Sequence, residues 1–580
     1  MKQTWAIMAV VLSMILVTTG IGLGAQPVPG AAYKSGEIII KYREGREGAG
    51  AALHQRHGSQ RIREFKAYGL EQVEIRSGQS VQDAITAFEA DPDVAYAEPN
   101  YVFHTMVVPY DPYWGNLWGM VKISTPAAWD NGTGSQAVVI GTIDTGVDYT
   151  HPDLSANIWT GTDGSHGYNA IAGTYDPKDD NGHGTHVAGT IGAVGNNGVG
   201  VAGVNWSVKI MACKFLNARG SGYTTDAVEC LNYFRVQRAA GVNIIATNNS
   251  WGGGGYSQAL YDVINAERDM LFIAAAGNSG TDNDTTASYP ASYDLPNVVA
   301  VAATDSNDLL ASWSQYGRRT VDIAAPGVNI YSTLPNSSYA YYSGTSMATP
   351  HVTGLTGLIK ATYPDADWRT IKNLILSSGD DVPSLVDKTI TGKRINAYST
   401  LNCTDSRVLS AIQYPKNITV GTPATLSALS INCGSPSGPV TVTLSGGEVF
   451  ILNDAGVAPD LAAGDGIFTA TFTPVRSSES FVFLSPAGSE TIAAPLAITT
   501  TSLPAATRNV PYSTTLAASG GTTPYTWSIS SGKLPAGLSL AGSTGVISGS
   551  PTKIGTSKFK IMVRDNKGTM VTKNLSITVK

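Results

Sequence analysis

The chain has 580 residues, a formal net charge of −6, 63 glycines and only 14% charged residues. Single cores stop growing near roughly 250–300 residues, so this length calls for several domains. Low charge with abundant glycine points to tight turns and extracellular β modules rather than a cytosolic helical protein, and without a basic cluster no nucleic-acid partner is expected.

The chain opens with Lys2, the apolar run "WAIMAVVLSMILV" and the small-residue stretch "TTGIGLGAQ". This order predicts a secretory signal peptide over 1–25, cleaved after Ala25, and a secreted, extracellular product. A retained membrane anchor is the alternative, and no later stretch is apolar for long enough to span a bilayer. Residues 33–104 mix strand and helix signals. "GEIIIKYR", "YGLEQVEIR" and "VAYAEPNYVFH" read as strands, and "GAGAALHQRHG" as a short helix. "SVQDAITAFEADPDV" reads as a helix with an N-cap serine, Val81, Ile85 and Phe88 on one face, and a stop at Asp91-Pro92. The result is a small α+β unit.

Residues 110–402 form the largest block. "AVVIGTID", "VNIIATNNS", "MLFIAAAGN" and "VVAVAAT" are continuous apolar runs, alternating with helical stretches such as "TTDAVECLNYFRVQRAAG", "SQALYDVINAERDM" and "DWRTIKNLILSSG". This pattern predicts an α/β fold: a parallel sheet with helices on both faces and chemistry at the carboxyl ends of the strands. After it the helices stop. Residues 405–497 and 499–580 are short alternating strands with Gly, Pro, Asn and Ser turns, each the size of a β-sandwich module. Sequence order pairs Cys213 with Cys230 and Cys403 with Cys433, with buried free thiols as the alternative.

The large block holds a set of groups suited to nucleophilic catalysis. Ser346 in "YSGTSMATPHV" is a candidate nucleophile at a helix start. Asp144, ending the apolar run "VVIGTID", is a carboxylate that burial would penalise unless it is paired. His183 in "DDNGHGTHVAGTIGA" lies at a helix mouth between glycines, while His186 falls one turn inward and reads as a core histidine. No third ligand at a zinc spacing accompanies the two. Asn278 in "FIAAAGNSG" can donate to a developing oxyanion, beside the Ser346 backbone N–H. Pro350 and His351 read as structural, with the proline near the first turn, where its missing N–H matters least.

"DTGVDYTHPDL", "GHGTHVAGT", "AAAGNSG" and "GTSMATPHV" resemble the four signature segments of the subtilisin-like serine proteases, in that family's order. "YDPYWGNLWG" is similar to the thermitase-like branch. The resemblance implies Asp144 as orienting acid, His183 as general base and acid, Ser346 as nucleophile and Asn278 as oxyanion donor in a serine endopeptidase. It also implies a substrate strand in "NNSWGGGG", with Ser250, Trp251 and Gly252 on one wall of the primary pocket, Ala275, Ala276 and Gly277 on the other, and Ser288 at the floor. Small walls predict room for a large apolar residue and broad specificity toward proteins and peptides.

"VGNNGVGVAGV" resembles the family's strong calcium loop, implying Asp111, Asp153 and Asn197 side chains with the carbonyls of Gly195, Val199 and Val201 as ligands of structural Ca2+. Asp176, Asp179 and Asp180 form either a second, weaker calcium site or a solvated acidic turn. The unit at 33–104 resembles the I9-type propeptide, which implies a folding aid and inhibitor cut from the protease between His104 and Tyr110. The last module, with "PYTWSIS" and "LPAGLSL", resembles Ig-like modules of bacterial surface proteins, implying spacing or attachment to a cell surface or polysaccharide. In the module before it, Asp454, Asp460 and Asp465 are read as turn carboxylates, with calcium as the alternative.

Overall fold

The structure is a computed structural model, and it describes residues 33–76, 78–102 and 107–580. The signal segment 1–25 and part of the expected cleavage region, residues 103–106, lie outside the described residues.

The first unit contains strand β1 (Tyr33–Tyr42), helix α1 (Gly50–His57), β2 (Gln60–Phe65), β3 (Leu70–Glu74), α2 (Val81–Glu89) and β4 (Val94–Tyr101). The strands form one antiparallel sheet in the order β2-β3-β1-β4. Ser80 caps α2 by accepting the Asp83 N–H at 3.0 Å. Val81, Ile85 and Phe88 are buried against Ile38, Ile40 and Leu53. The expected α+β unit, its cap and its apolar face are all present.

The second unit begins with two short helices, α3 (Trp118–Lys122) and α4 (Thr125–Ala128). There follow β5 (Gly134–Asp144), β6 (Gly167–Asn169), α5 (His183–Gly192), β7 (Ser207–Lys214), α6 (Thr224–Ala239), β8 (Ile244–Asn249), α7 (Gln258–Ala266), β9 (Leu271–Ala275), β10 (Val298–Thr304) and β11 (Ile323–Pro326). The block closes with the hairpin β12 (Ile330–Leu334) and β13 (Ser338–Tyr342), then α8 (Thr345–Thr362), α9 (Trp368–Ser377), β14 (Asp380–Asp381), β15 (Lys393–Arg394) and α10 (Ala397–Leu401). Nine strands form one sheet, β14-β15-β11-β10-β9-β8-β5-β7-β6, parallel except for the β14 edge. Strands β8 to β11 are buried at every residue because helices cover both sides. Residues of α5, α8 and α9 pack on one face and residues of α6 and α7 on the other. No helix among the described residues is long and apolar enough to cross a membrane.

Both expected cysteine pairs are disulfides, Cys213–Cys230 and Cys403–Cys433. The second joins the end of the protease block to the next module.

That module holds β16 (Arg407–Gln413), β17 (Ala424–Asn432), β18 (Ser435–Pro436), β19 (Val440–Leu444), β20 (Val449–Leu452), β21 (Ile467–Phe472), β22 (Phe481–Ser485) and β23 (Gly488–Ile492). Two four-stranded sheets form it, as expected of a sandwich. It is not a separate module with a core of its own alone. Leu426 and Ala428 of β17 face the sandwich interior. Leu429 and Ile431, with Val408 and Ala462, belong to the same apolar core as α8 and α9. A strand buried on both faces ties the module into the protease block. The last module has its own core of Trp527, Ile547, Phe559, Ile561 and Leu575.

Candidate active site

Three parallel strands and two helices bring the predicted groups together, with His183 opening α5. β5 ends on Asp144, the substrate segment follows β8, Asn278 lies just after β9, and Ser346 is the second residue of α8. All are at carboxyl strand ends or a helix start, where a parallel sheet gathers its chemistry.

Asp144 is fully buried. Its Oδ1 accepts the Thr145 N–H at 2.7 Å and His183 Nδ1–H at 2.8 Å. His183 opens α5 with its ring 26% exposed on the cleft. Burial alone would lower its hold on a proton, but the charge and hydrogen bond of Asp144 outweigh burial and raise it above its ordinary value. The glycines flanking His183 are required. Gly182 has φ +109°, and a Cβ on Gly184 would stand 2.1 Å from the Gly146 carbonyl oxygen.

His186 is fully buried, as expected of a core residue. Its Nε2 lies 3.0 Å from the Ile330 carbonyl and its ring stacks on Tyr342, and burial pushes it down to about 3. His351 is likewise buried and pushed down to about 4.

Ser346 Oγ donates to the Ser250 carbonyl at 3.0 Å, and Ser250 Oγ donates to the Ser346 carbonyl at 2.8 Å. This corrects the reading of Pro350, which sits in the helix interior, beyond the first turn. In a regular helix its N–H would bond the Ser346 carbonyl four residues back. Proline has no N–H, and the Ser250 hydroxyl takes that carbonyl instead.

Asn278 Oδ1 accepts the Thr345 N–H at 2.8 Å and the Thr345 hydroxyl at 3.0 Å. The oxygen is thereby engaged, leaving the amide N–H2 as the donor side. Gly344 lies beside that amide: a Cβ on it would stand 3.6 Å from Nδ2, an ordinary contact distance.

A cleft of about 500 Å³ runs past His183 and is lined by Ser250, Trp251, Gly252, Tyr289 and Tyr293. A Cβ on Gly277 would stand 3.2 Å from Ser288 Oγ, and one on Gly252 3.9 Å from it. Ser288 therefore lies between the two predicted walls. Ala275 and Ala276 are 4% and 0% exposed and do not line this cleft, so the expected second wall is not formed by them here.

The loop after α5 meets the implied calcium chemistry in its side chains. Asp111 and Asp153 are 3% and 0% exposed, and Asn197 Nδ2 lies 3.1 Å from Asp153 Oδ1. Burial and the nearby Asp111 charge push Asp153 up to about 7, against the hydrogen bonds it accepts. The two buried carboxylates supply hard oxygens that suit a divalent cation, while the Asn197 amide oxygen accepts the Val199 N–H. Asp111 also accepts the N–H groups of Asn196, Asn197 and Gly198. At two of the three expected carbonyl ligands it is the N–H that bonds a side chain: Val199 donates to Asn197 Oδ1 and Val201 to Asp153 Oδ2.

In the second acidic group Asp176 and Asp180 are exposed, as the solvated-turn alternative has them, and Asp179 departs from it. Asp179 is 6% exposed, so it is not solvated. It accepts five hydrogen bonds, from Thr145 Oγ1, the N–H groups of Asn181, Gly182 and Thr185, and Thr185 Oγ1. These bonds pin the Asp144 turn to the first turn of α5. Asp176 accepts the Tyr149 hydroxyl, and Asp180 pairs with Lys214 at 2.6 Å. Sequence reading missed this hub because its donors are spread over forty residues, and only "DDNGHGT" itself hinted at it.

Comparison with known proteins agrees with this arrangement. A profile of the Subtilase family matches residues 135–394, one of the fervidolysin N-terminal prodomain matches 23–100, and one of the He_PIG Ig-like domain matches 494–580. The chain is 37% identical over 341 residues to a thermophilic serine proteinase of Bacillus sp. (strain AK1), covering 57% of this chain and 78% of that protein. It is 40% identical over 291 residues to thermitase of Thermoactinomyces vulgaris, covering 50% of this chain and 98% of thermitase. Subtilisin Savinase of Lederbergia lenta is 40% identical over 269 residues, 46% of this chain and 92% of that protein. The chain belongs to the subtilase family: it is a subtilisin-like serine protease with an N-terminal prodomain.

Proposed function

We propose that the chain is a secreted serine endopeptidase, made as a zymogen and acting through Asp144, His183, Ser346 and Asn278. The observation that carries this reading is the 2.8 Å bond between His183 Nδ1 and buried Asp144, together with Ser346 in the first turn of α8. His183 takes the Ser346 proton as Oγ attacks a peptide carbonyl. The Asn278 amide and the backbone N–H of Ser346 hold the oxyanion, and the α8 dipole favours it. His183 then protonates the leaving amine, and water releases the acyl group by the reverse route. In the resting geometry Ser346 Oγ rests on the Ser250 carbonyl, so attack requires it to turn from that acceptor toward His183.

The segments proposed are a signal peptide at 1–25, an inhibitory propeptide at 33–104, the catalytic domain at 110–402, a β module at 405–497 and a second at 499–580. The protease would act on proteins and peptides, with its own propeptide as inhibitor and no nucleic-acid partner. Asp111, Asp153 and Asn197, with the carbonyls of Gly195, Val199 and Val201, would hold Ca2+. When bound, the ion would neutralise the two buried carboxylates and fix the loop after α5. The last module would supply spacing or attachment to a surface or polysaccharide.

Expression of the full chain beside its Ser346→Ala variant tests the reading. The parent should process itself and hydrolyse casein with calcium present, while Ser346→Ala stays full length and inactive. If both remain full length and inactive, the reading fails. Asn278→Leu should lower kcat by about 10²–10³-fold with little change in KM.

A further inference from the structure

The first β module carries acids that the active site does not use. Asp454, Asp460 and Asp465 lie on the segment between β20 and β21, and one carboxylate oxygen from each falls within 4.8 Å of the others. Two oxygens on opposite sides of a calcium ion, each about 2.3–2.6 Å from it, stand up to about 5 Å apart, so the three converge on the span of one ion. Asp460 and Asp465 are 4% and 1% exposed. The Lys372 ammonium, the cation that acts on Asp465, is committed to the carbonyls of Pro296 at 2.7 Å and Val298 at 3.3 Å. Turn bonds account for the path of the loop: Asp454 accepts N–H groups of Gly464, Asp465 and Gly466. They do not account for three carboxylates brought together, two of them buried and one half-buried.

A separate observation comes from the protease block. Asn373 on α9 is fully buried, and neither its amide oxygen nor its nitrogen has a protein partner. It faces the acidic loop. A Cβ on Gly466 would stand 3.3 Å from Asn373 Oδ1 and 3.4 Å from its Nδ2, and the Gly466 N–H is bonded to Asp454. A buried amide with both atoms unpaired is rare and marks a place where a missing group belongs.

We propose that Asp454, Asp460 and Asp465, approached from the protease side by the Asn373 amide, form a calcium site at the seam between the first β module and α9. The donors are all oxygens, which selects a hard cation over zinc. Three carboxylates drawn from one irregular loop suit the adaptable coordination of calcium better than the strict octahedron of magnesium. The ion would neutralise the acids and satisfy the amide together, fastening the loop to the helix it packs on.

The test uses the full chain carrying Ser346→Ala, which removes self-cleavage, and calcium alone as the probe in equilibrium dialysis. Asp153→Asn is added to remove the loop site near α5. This protein should still bind one equivalent of calcium, and adding Asp460→Asn should weaken that binding at least about 100-fold. Binding of no calcium by the Asp153→Asn chain, or unchanged binding after Asp460→Asn, overturns the proposal. Should Asp460→Asn fail to fold, Asn373→Leu decides in its place. It keeps the volume and removes the amide, so weakened calcium binding supports the site and unchanged binding rejects it.

Discussion

Asp144 and His183 meet in space although 39 positions separate them, and their bond fixes a pH response. The neutral imidazole is the form that can accept the Ser346 proton. Because His183 is raised above its ordinary value by Asp144, activity should be full at higher pH and fall as pH drops through that raised value. The acid limb of kcat/KM should therefore lie above about 6.5. Asp144→Asn should move the limb down and cost about 10⁴ in kcat. The Asp179 charge also raises His183, so Asp179→Asn should shift the limb in the same direction with a smaller loss of kcat. A limb that stays fixed in a pH–rate profile would show that Asp179 only braces the turn. Ser250→Ala tests the reciprocal bond with Ser346. It leaves a helix carbonyl unpaired and should lower kcat about 10-fold, the worth of one hydrogen bond, with casein or a peptide ester as substrate.

Elements with local rules were legible from the sequence. Strands β8 to β10 announce themselves as continuous apolar runs, and α2 by a cap serine followed by a 3–4 spaced apolar face. The signature segments located Asp144, His183, Asn278 and Ser346 before any geometry was available. What escaped depends on partners remote in sequence. Pro350 looked harmless as a first-turn residue, and only the Ser250 hydroxyl, 96 positions before Ser346, explains how the helix tolerates it. Asp179 looked solvent-facing because its polar neighbours hide five donors aimed inward. β17 reads as "TLSALSI", a strand with one buried face, yet the second face is buried by α9. At this scale the loop after α5 makes a clear prediction. Chelation should lower the melting temperature of the Ser346→Ala chain, and Asp153→Asn should remove the share of that drop that the loop site supplies, read by differential scanning calorimetry.

Across the whole molecule, the first β module and the protease block share a core while the last module keeps its own. Val408, Leu429 and Ile431 each remove a side chain worth about 1.5–3 kcal/mol from water at the α9 seam. Arg318 reinforces the seam, donating to Ser410 Oγ at 2.7 Å and pairing with Glu490. Ending the chain after residue 402 should therefore lower the melting temperature by about 10 °C or more, or abolish soluble expression. Removing 499–580 should leave the melting temperature and the casein rate nearly unchanged. The shared core also sets an order of events. A chain made from its N-terminus presents Asp144, His183, Asn278 and Ser346 long before β17 and β21 exist. Until those strands follow, the apolar face of α9, with Ile371 and Leu374, has nothing to close on. Completion of the catalytic domain thus waits for a segment that carries none of its reacting groups.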